Sequence, residues 1–374
     1  KERLRKLSDQ YYGSAADAYR KIIANRNIPA VPGNGIKDPL LRLAYHRIES
    51  NGYLAAVEDD VGQTCVGTLK MHNASVKSVT ALPDGQLASC SFDKTIKIGC
   101  LSKREQCVAT LTGHTELVSS VTSLPDGRLA SASDDQTIKV WDLSKPDDQK
   151  CVATLRGHTD WVNSVRPMPG GRLVSGSHDQ TVKLWDLGKP DGQQCVATLR
   201  GHTNWVSFAT PFYGERSGER LASGSADNTV KVWDLGKPDG QQCVATLYGH
   251  EHHVFSLTVF PDGRLASSSY DQTIKVWDLG KPDGQQCVVT LKGHTEVVFS
   301  VIILADGRLA SGSDDRTIKI WDLSKPDGKK CVVTLKGHTC WVNSVTALSD
   351  RLLASGSEDC TVKVWDLSKP DGCP

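Results

Sequence analysis

The sequence has neither a long hydrophobic run nor an excess of charge of one sign. No stretch of about 18 consecutive apolar residues occurs along the chain, so no helix is expected to span a membrane. Lysine and arginine number 44 against 43 aspartates and glutamates, and this balance argues against a nucleic-acid partner, which would need a basic surface. With 39% hydrophobic and 23% charged residues, the composition is that of an ordinary globular protein.

The motifs that usually bind metals or cofactors are also missing. No two cysteines stand at the Cys-x-x-Cys spacing of a zinc site, and His252-His253 has no further ligand at a useful spacing. No glycine-rich phosphate loop precedes a predicted helix. The sequence therefore predicts neither a metal site nor a cofactor.

Twelve cysteines are present, but their regular spacing argues against disulfides. Seven of them open the same short phrase, once per repeat, so each is expected on the equivalent strand of a separate unit, beyond bridging distance. These seven are Cys65, Cys107, Cys151, Cys195, Cys243, Cys287 and Cys331. We interpret them as small buried hydrophobic residues, which predicts a reducing compartment, the cytoplasm or the nucleus.

Internal repetition is the strongest signal in the sequence. The phrase Cys-Val-x-Thr-Leu recurs at intervals of 42 to 48 residues. In six copies Gly-His follows the phrase and Trp-Asp closes the copy, as from Gly157-His158 to Trp185-Asp186. Turns such as Pro261-Asp262-Gly263 separate short segments rich in β-branched residues, which predicts four strands per copy.

These copies closely resemble the WD-repeat family over residues 64–366. The resemblance implies an all-β, seven-bladed WD-repeat β-propeller that spans residues 64–374. The family offsets the sequence repeat from the structural blade, which implies that residues 64–69 pair with residues 361–365 and close the ring. The first copy has Met71 for the glycine of Gly-His and Gly99 for the tryptophan, so we expect its blade to be the least rigid unless a neighbour fills the void.

Residues 1–63 lack the propeller pattern. Leu4, Leu7 and Tyr11 begin a helical spacing of apolar residues, and Asp38-Pro39 has the chemistry of a helix start. We predict a short α-helical N-terminal extension and a linker here. This extension would pack on the propeller, dimerise or dock an adaptor.

Every copy contains Ser, His and Asp, a combination that raises a hydrolase hypothesis. A catalytic nucleophile is needed once, whereas this set recurs in each copy, as Ser175, His158 and Asp179 do in the third. The family resemblance implies a structural network in which Asp binds His, His binds Ser, and Ser reaches the tryptophan N–H. No acid–base cluster is unmatched in the other copies, so the sequence predicts no enzyme activity.

Positions that differ between copies are the candidates for partner contacts, because positions that repeat serve the fold. By family geometry, the residues after His-Thr and those before the repeat Asp lie on one face, around the central channel. The predicted partner-binding residues of this top face are Phe92, Leu117, Asp134, Asp160, Trp161, His178, Asn204, Trp205, His252, His253, Tyr270, Val297, Asp314, Trp341 and Glu358. Their rings and acids favour a peptide that contains Lys or Arg, although packing is the alternative role for Trp161, Trp205 and Trp341.

Together these features favour a non-enzymatic scaffold or substrate-recruiting module that binds other proteins, with no nucleic-acid or membrane partner. The second hypothesis is the non-catalytic WD-repeat domain of a larger enzyme or of a ubiquitin-ligase substrate receptor. The first residue, Lys1 rather than Met, keeps that hypothesis open. A catalytic propeller is the third hypothesis.

Overall fold

The computed structural model describes residues 65–82, 85–100, 107–212 and 219–369. The helical extension predicted for residues 1–63 lies outside the described residues. Within these ranges the regular structure consists of strands, apart from a single turn of 3₁₀ helix at Asp147–Gln149. The same ranges contain no helix that is long and apolar enough to cross a membrane.

The strands form seven four-stranded antiparallel sheets, which are the blades of a propeller. The innermost strands are β2 (Val76–Ala81), β6 (Val118–Ser123), β10 (Val162–Met168), β14 (Val206–Phe212), β18 (Val254–Val259), β22 (Val298–Ile303) and β26 (Val342–Ala347). The second strands are β3 (Gln86–Ser91), β7 (Leu129–Ser133), β11 (Arg172–Ser177), β15 (Arg220–Ser225), β19 (Leu265–Ser269), β23 (Leu309–Ser313) and β27 (Leu352–Ser357). We number the blades one to seven in this order.

The third and the outermost strands are given in the same order, from blade one to blade seven. The third strands are β4 (Ile96–Cys100), β8 (Ile138–Trp141), β12 (Val182–Asp186), β16 (Val230–Asp234), β20 (Ile274–Trp277), β24 (Thr317–Trp321) and β28 (Val362–Asp366). The outermost strands are β5 (Cys107–Leu111), β9 (Cys151–Leu155), β13 (Cys195–Leu199), β17 (Cys243–Leu247), β21 (Cys287–Leu291), β25 (Cys331–Lys336) and β1 (Cys65–Leu69). Each innermost strand contacts that of the next blade, including β26 with β2, so the blades form a closed ring.

Blade seven is completed by the first strand of the propeller, as the repeat phasing predicts. Strand β1 pairs antiparallel with β28, in a register that places Cys65 opposite Trp365 and Leu69 opposite Val362. The Lys363 ammonium adds a hydrogen bond of 2.9 Å to the Thr68 hydroxyl. The predicted closure of the ring is therefore confirmed.

The hydrophobic core is divided into layers between neighbouring blades rather than gathered at the centre. Between blades one and two, for example, Ile96 and Ile98 pack with Val121 and Trp141. Six further clusters repeat this arrangement around the ring. A single blade cannot bury both of its faces, so its stability depends on its neighbours.

The repeated Ser, His and Asp form the structural network that the family resemblance implies. In all seven blades a His Nδ1 lies 2.6–2.8 Å from the Asp carboxylate, and the His Nε2 lies 2.7–2.9 Å from the Ser hydroxyl oxygen. In six blades the Trp indole N–H donates to the same Ser oxygen at 2.7–2.8 Å. The buried polar atoms of the network satisfy one another, as buried groups must.

Blade one replaces the missing tryptophan with a methionine from another position. A Cβ added at Gly99 would lie 2.6 Å from the Met71 sulfur, so the Met71 side chain occupies the space of the absent ring. In blade two the reverse holds, because a Cβ at Gly113 would lie 3.4 Å from the Trp141 ring. Glycine and the large residue have exchanged positions, and Met71 is the neighbour that fills the expected void.

The cysteines of the repeated phrase confirm one prediction and contradict another. Each lies on the outermost strand of its own blade, and the described cysteines are free thiols. They are not buried, however: Cys107, Cys151 and Cys243 are exposed and the other four are half-buried. The outermost strand has no further strand beyond it, which explains why a residue at its start meets solvent.

Candidate functional site on the top face

Two loops of each blade meet at the same edge of the ring. The residue before the repeat Asp donates its backbone N–H to the carbonyl of the residue before the innermost strand, as His178 does to Trp161. This bond is 2.8–3.0 Å long in all seven blades. It brings together the two sets of variable positions that the sequence singled out, and we call the surface that they form the top face.

Seven rings on the top face form a continuous row, which we call the aromatic arc. The arc consists of Trp161, His178, Trp205, His253, Phe255, Phe299 and Trp341. Successive ring centroids lie 4.7, 4.4, 5.4, 6.4, 5.2 and 6.0 Å apart. The arc extends from blade three to blade seven, and Trp161 and Trp341 at its ends are 47% and 42% exposed.

The remaining part of the top face carries charge, and we call Glu358, Lys77 and Asp134 the charged arc. Glu358 accepts a hydrogen bond from Ser75, and Asp134 accepts one of 2.8 Å from Ser119. Lys77 lies 4.6 Å above the Phe92 ring. Burial lowers the pKa of Lys77, whereas Glu358 and Asp134 on either side favour its charged form.

The other predicted site residues differ in how much surface they offer. Tyr270 is 52% exposed and contacts the rings of both His252 and His253. Asp160 and Asn204 are partly occupied by accepting the N–H of the next residue, at 2.8 and 2.9 Å. Leu117 is half-buried, and Val297 is only 6% exposed, so its side chain offers little surface to a partner.

Burial adjusts the charge of several groups on the top face. It lowers the pKa of His178 and, with help from neighbouring His252, that of His253, so both rings stay neutral near pH 7. Burial also raises the pKa of Asp134 and, together with Glu296, that of Asp314. At neutral pH the top face thus presents uncharged rings beside carboxylates.

Three residues of the site were missed by reasoning from the sequence. Phe255, Phe299 and Lys77 lie on the innermost strands, two residues beyond the loop positions that were compared. This strand position holds Ser119 and Ser207 in blades two and four, so it also differs between copies. The same comparison, extended by two residues into the strand, would have found them.

The described residues with catalytic or metal-binding chemistry are largely engaged in structural contacts. The Ser, His and Asp sets are occupied by hydrogen bonds within the network, and the Ser and His of each set are buried. No group of three or more His, Cys, Asp or Glu with the geometry of a metal site occurs in the described part of the chain. An array of rings beside carboxylates is suited to contact with another molecule through area and charge.

Comparison with known proteins agrees with this geometry. The WD40 family profile (WD domain, G-beta repeat) matches seven segments, 63–98, 105–142, 149–186, 193–234, 241–278, 285–322 and 329–366. The chain belongs to the WD40 family, whose propellers are in general protein-interaction scaffolds without catalysis.

Among solved structures, the chain is similar to the WD40 beta propeller domain of Doa1, with a TM-score of 0.70 and 27% sequence identity. The match covers 82% of this chain and 98% of that one. No curated protein sequence matches the chain.

Proposed function

We propose that this propeller is a non-enzymatic interaction module that binds a partner peptide across the aromatic arc. The single observation that carries the proposal is the continuity of the arc over five blades, with large rings exposed at both ends. Trp and Tyr are frequent interface anchors, because they bury much area and lose little conformational entropy.

The charges next to the arc support a peptide that contains Lys or Arg. Asp160 adjoins Trp161 at one end of the arc, and Glu358 donates its N–H to Trp341 at the other. A cation over the ring of Trp161 or Trp341 gains about 0.5–2 kcal/mol from the ring quadrupole, the larger values applying to a desolvated contact. The raised pKa of Asp314 marks it as a further carboxylate whose charge a cationic partner would stabilise.

Replacement of Trp205 tests the proposal, because this ring joins His178 to His253 in the middle of the arc. The chain with Trp205→Ala is compared with wild type in affinity capture from cell extract, followed by mass spectrometry. We expect the loss of at least one partner that wild type retains. Peptides from that partner are then titrated, and their Lys or Arg is replaced in turn, with an expected affinity loss of about tenfold or more.

Tyr248 provides the matched control, since it is 75% exposed and makes no ring contact with the described residues. Tyr248→Ala should capture the same proteins as wild type. Equal capture of every partner by Trp205→Ala, with an unchanged melting temperature, would refute the role of the arc.

A second candidate function is that of the non-catalytic WD-repeat domain in a larger enzyme or ubiquitin-ligase substrate receptor. The observation that favours it is that the similar Doa1 propeller is described as one domain of its protein. Sequencing the full reading frame decides between this candidate and an independent scaffold. For either candidate we propose a reducing compartment, since exposed Cys107, Cys151 and Cys243 are free thiols.

A further inference from the structure

The central channel has a polar wall that contains cations but no carboxylate. A cavity of about 610 Å³ lies between the innermost strands of the blades. Serine and threonine dominate its described lining, which includes Lys77 and Arg166 and neither aspartate nor glutamate. Lys77 belongs to the charged arc, whose acids balance it, whereas no carboxylate acts on Arg166. Uncompensated positive charge in a confined space attracts anions.

Arg166 is the only charged residue among the seven that occupy the same position on the innermost strands, one in each blade. It lies opposite Val174 in the β10–β11 pair, at the register position where Thr80 lies opposite Ala88 in blade one. In blade six the position holds Ile302. In the other five blades it holds Thr80, Thr122, Thr210, Thr258 and Thr346, which we call the threonine ring.

The guanidinium of Arg166 is held within the channel but keeps donors free. Its Nη1 donates to the Ser120 hydroxyl at 3.3 Å and to the Val165 carbonyl at 2.9 Å. Its carbon lies 4.6 Å above the ring of Phe208. A guanidinium has five N–H donors, so those on Nε and Nη2 have no acceptor among the described residues.

Arg166 stays protonated at neutral pH, although burial in the channel disfavours its charged form. Burial lowers the pKa of Arg166 to about 10, so the side chain remains a cation at neutral pH. A buried charge without a counter-ion is costly, and most proteins pair it with an acid. In this channel the threonine ring, rather than an acid, lines the cavity together with Arg166, and hydroxyls as well as a guanidinium donate hydrogen bonds to an anion.

We propose that the central channel binds a phosphate-bearing small molecule, with its phosphate group between Arg166 and the threonine ring. Arginine and phosphate match in geometry, because the planar guanidinium donates two parallel hydrogen bonds to two phosphate oxygens. The cavity is within the usual size range of small-molecule sites, about 300–1,000 Å³, so it has room for more than the phosphate itself. Phe255 and Phe299 of the aromatic arc also line this cavity, but the groups that would hold the phosphate, Arg166 and the threonine ring, are not members of the arc.

Arg166→Thr is the decisive variant, because five other blades fold with threonine at this position. Inorganic phosphate and glucose 6-phosphate are titrated against the full chain by calorimetry and by thermal melting, with ionic strength held constant by chloride. We expect both ligands to raise the melting temperature of wild type, glucose 6-phosphate at the lower concentration. Arg166→Thr should weaken binding of each by about tenfold or more.

Two further variants separate the proposal from a purely structural role for Arg166. Arg166→Lys retains the charge and should bind more weakly than wild type but more tightly than Arg166→Thr. Arg264→Gln removes a half-buried arginine that pairs with Asp262 and does not line the channel, and it should bind as wild type does. Without ligand, Arg166→Thr should melt no lower than wild type, because it removes an unpaired charge.

The proposal is overturned if neither ligand binds wild type. It is also overturned if Arg166→Thr binds both ligands as tightly as wild type, even when this variant melts at a lower temperature. That last result would assign Arg166 to packing on Phe208 alone.

Discussion

At the scale of single residues, Met71 and Gly99 show how one repeat tolerates the loss of its most conspicuous side chain. In the other six blades a fully buried tryptophan lies over a glycine whose φ is between 144° and 154°. In blade one the large side chain stands at the position of this glycine instead. It is Met71, which is only 7% exposed. Methionine suits this role because its unbranched side chain adapts to irregular space.

This exchange predicts strong coupling between the two positions. Met71→Gly alone leaves a cavity and should lower the free energy of unfolding by about 2–5 kcal/mol. Gly99→Trp alone forces a ring into space that Met71 fills, which should cost at least about 1–3 kcal/mol. The double variant should regain most of both losses, since the new indole N–H then reaches Ser89, as in other blades. Urea unfolding of the four proteins gives the interaction energy.

Additive losses in the double variant would contradict the exchange. They would mean that the space at Gly99 differs in shape from the tryptophan pockets of the other blades. A matched pair in blade two, Gly113→Met with Trp141→Gly, tests the same exchange in the opposite direction. Its single variants should be destabilised, and its double variant should regain less than in blade one, because Gly113 has a φ of 144°, which methionine rarely adopts.

The site residues illustrate what could and could not be predicted from the sequence. The network around Ser175 and His158 was predictable from the family resemblance, because its four members recur in every full copy. The continuity from Trp161 to Trp341 was not, since it depends on ring-to-ring distances between blades that are set by the closed ring. Met71 was also missed, because an exchange of bulk between positions 28 residues apart in sequence leaves no repeated pattern.

At the scale of elements, strand β1 is the piece on which closure depends. Removal of residues 1–69 should lower the melting temperature sharply, because β28 then loses its hydrogen-bonded partner and the core between blades six and seven loses the packing of Cys65. Thermal melting by circular dichroism checks this. An unchanged melting curve would contradict the role of β1.

Complementation provides the control for that truncation. A synthetic peptide of residues 64–70 should raise the melting temperature of the truncated protein in a concentration-dependent way, since a free sheet edge accepts an added strand. A peptide with the same composition in scrambled order should have no effect. Rescue by both peptides would show that the gain does not depend on the register observed between Cys65 and Trp365.

The outermost strands also explain why the burial of the cysteines was predicted wrongly. In the sequence, Cys-Val-x-Thr-Leu alternates like a strand with one buried face, and cysteine is commonly a buried residue. In the structure the strand has a neighbour on one side only, and Val108 is 51% exposed while Leu111 at its other end is 3% exposed. Burial here depends on the position of a strand in the blade, which the alternation alone does not reveal.

At the scale of the whole molecule, the repeated His–Asp pairs make the stability of the propeller depend on pH. Burial lowers the pKa of His72, His158 and His294, despite the aspartates that oppose this, so these rings are neutral when folded. Burial alone would raise the pKa of the partner aspartates, but the His and Thr hydrogen bonds hold it below the ordinary range. Both groups therefore bind more protons in the unfolded chain, and stability rises with pH.

We expect two steps in a plot of melting temperature against pH. As pH falls below about 6.5, His72, His158 and His294 take up protons in the unfolded chain that they resist in the folded one, and stability declines gradually. Below about pH 4 the unfolded aspartates take up protons as well, and the decline steepens. Scanning calorimetry from pH 8 to pH 3.5 measures both steps, and a flat profile between pH 7 and pH 4 would contradict the first. Asp179→Asn should reduce the steeper step, and it should slightly enlarge the first one, because Asp179 opposes the lowering of the His158 pKa.

The strand that closes the ring also sets an order on biosynthesis. Thr68 and Lys363, which are bonded across β1 and β28, are 295 positions apart in the sequence. At roughly 5–20 residues per second, about 15–60 s of translation separate the two. Throughout that interval β1 has no partner of its own, and an unpaired strand is the element that chaperones and neighbouring nascent chains recognise. Chains that are translated together on one messenger RNA are thus able to exchange this strand with one another. Slower translation lengthens the time during which this exchange is open to them.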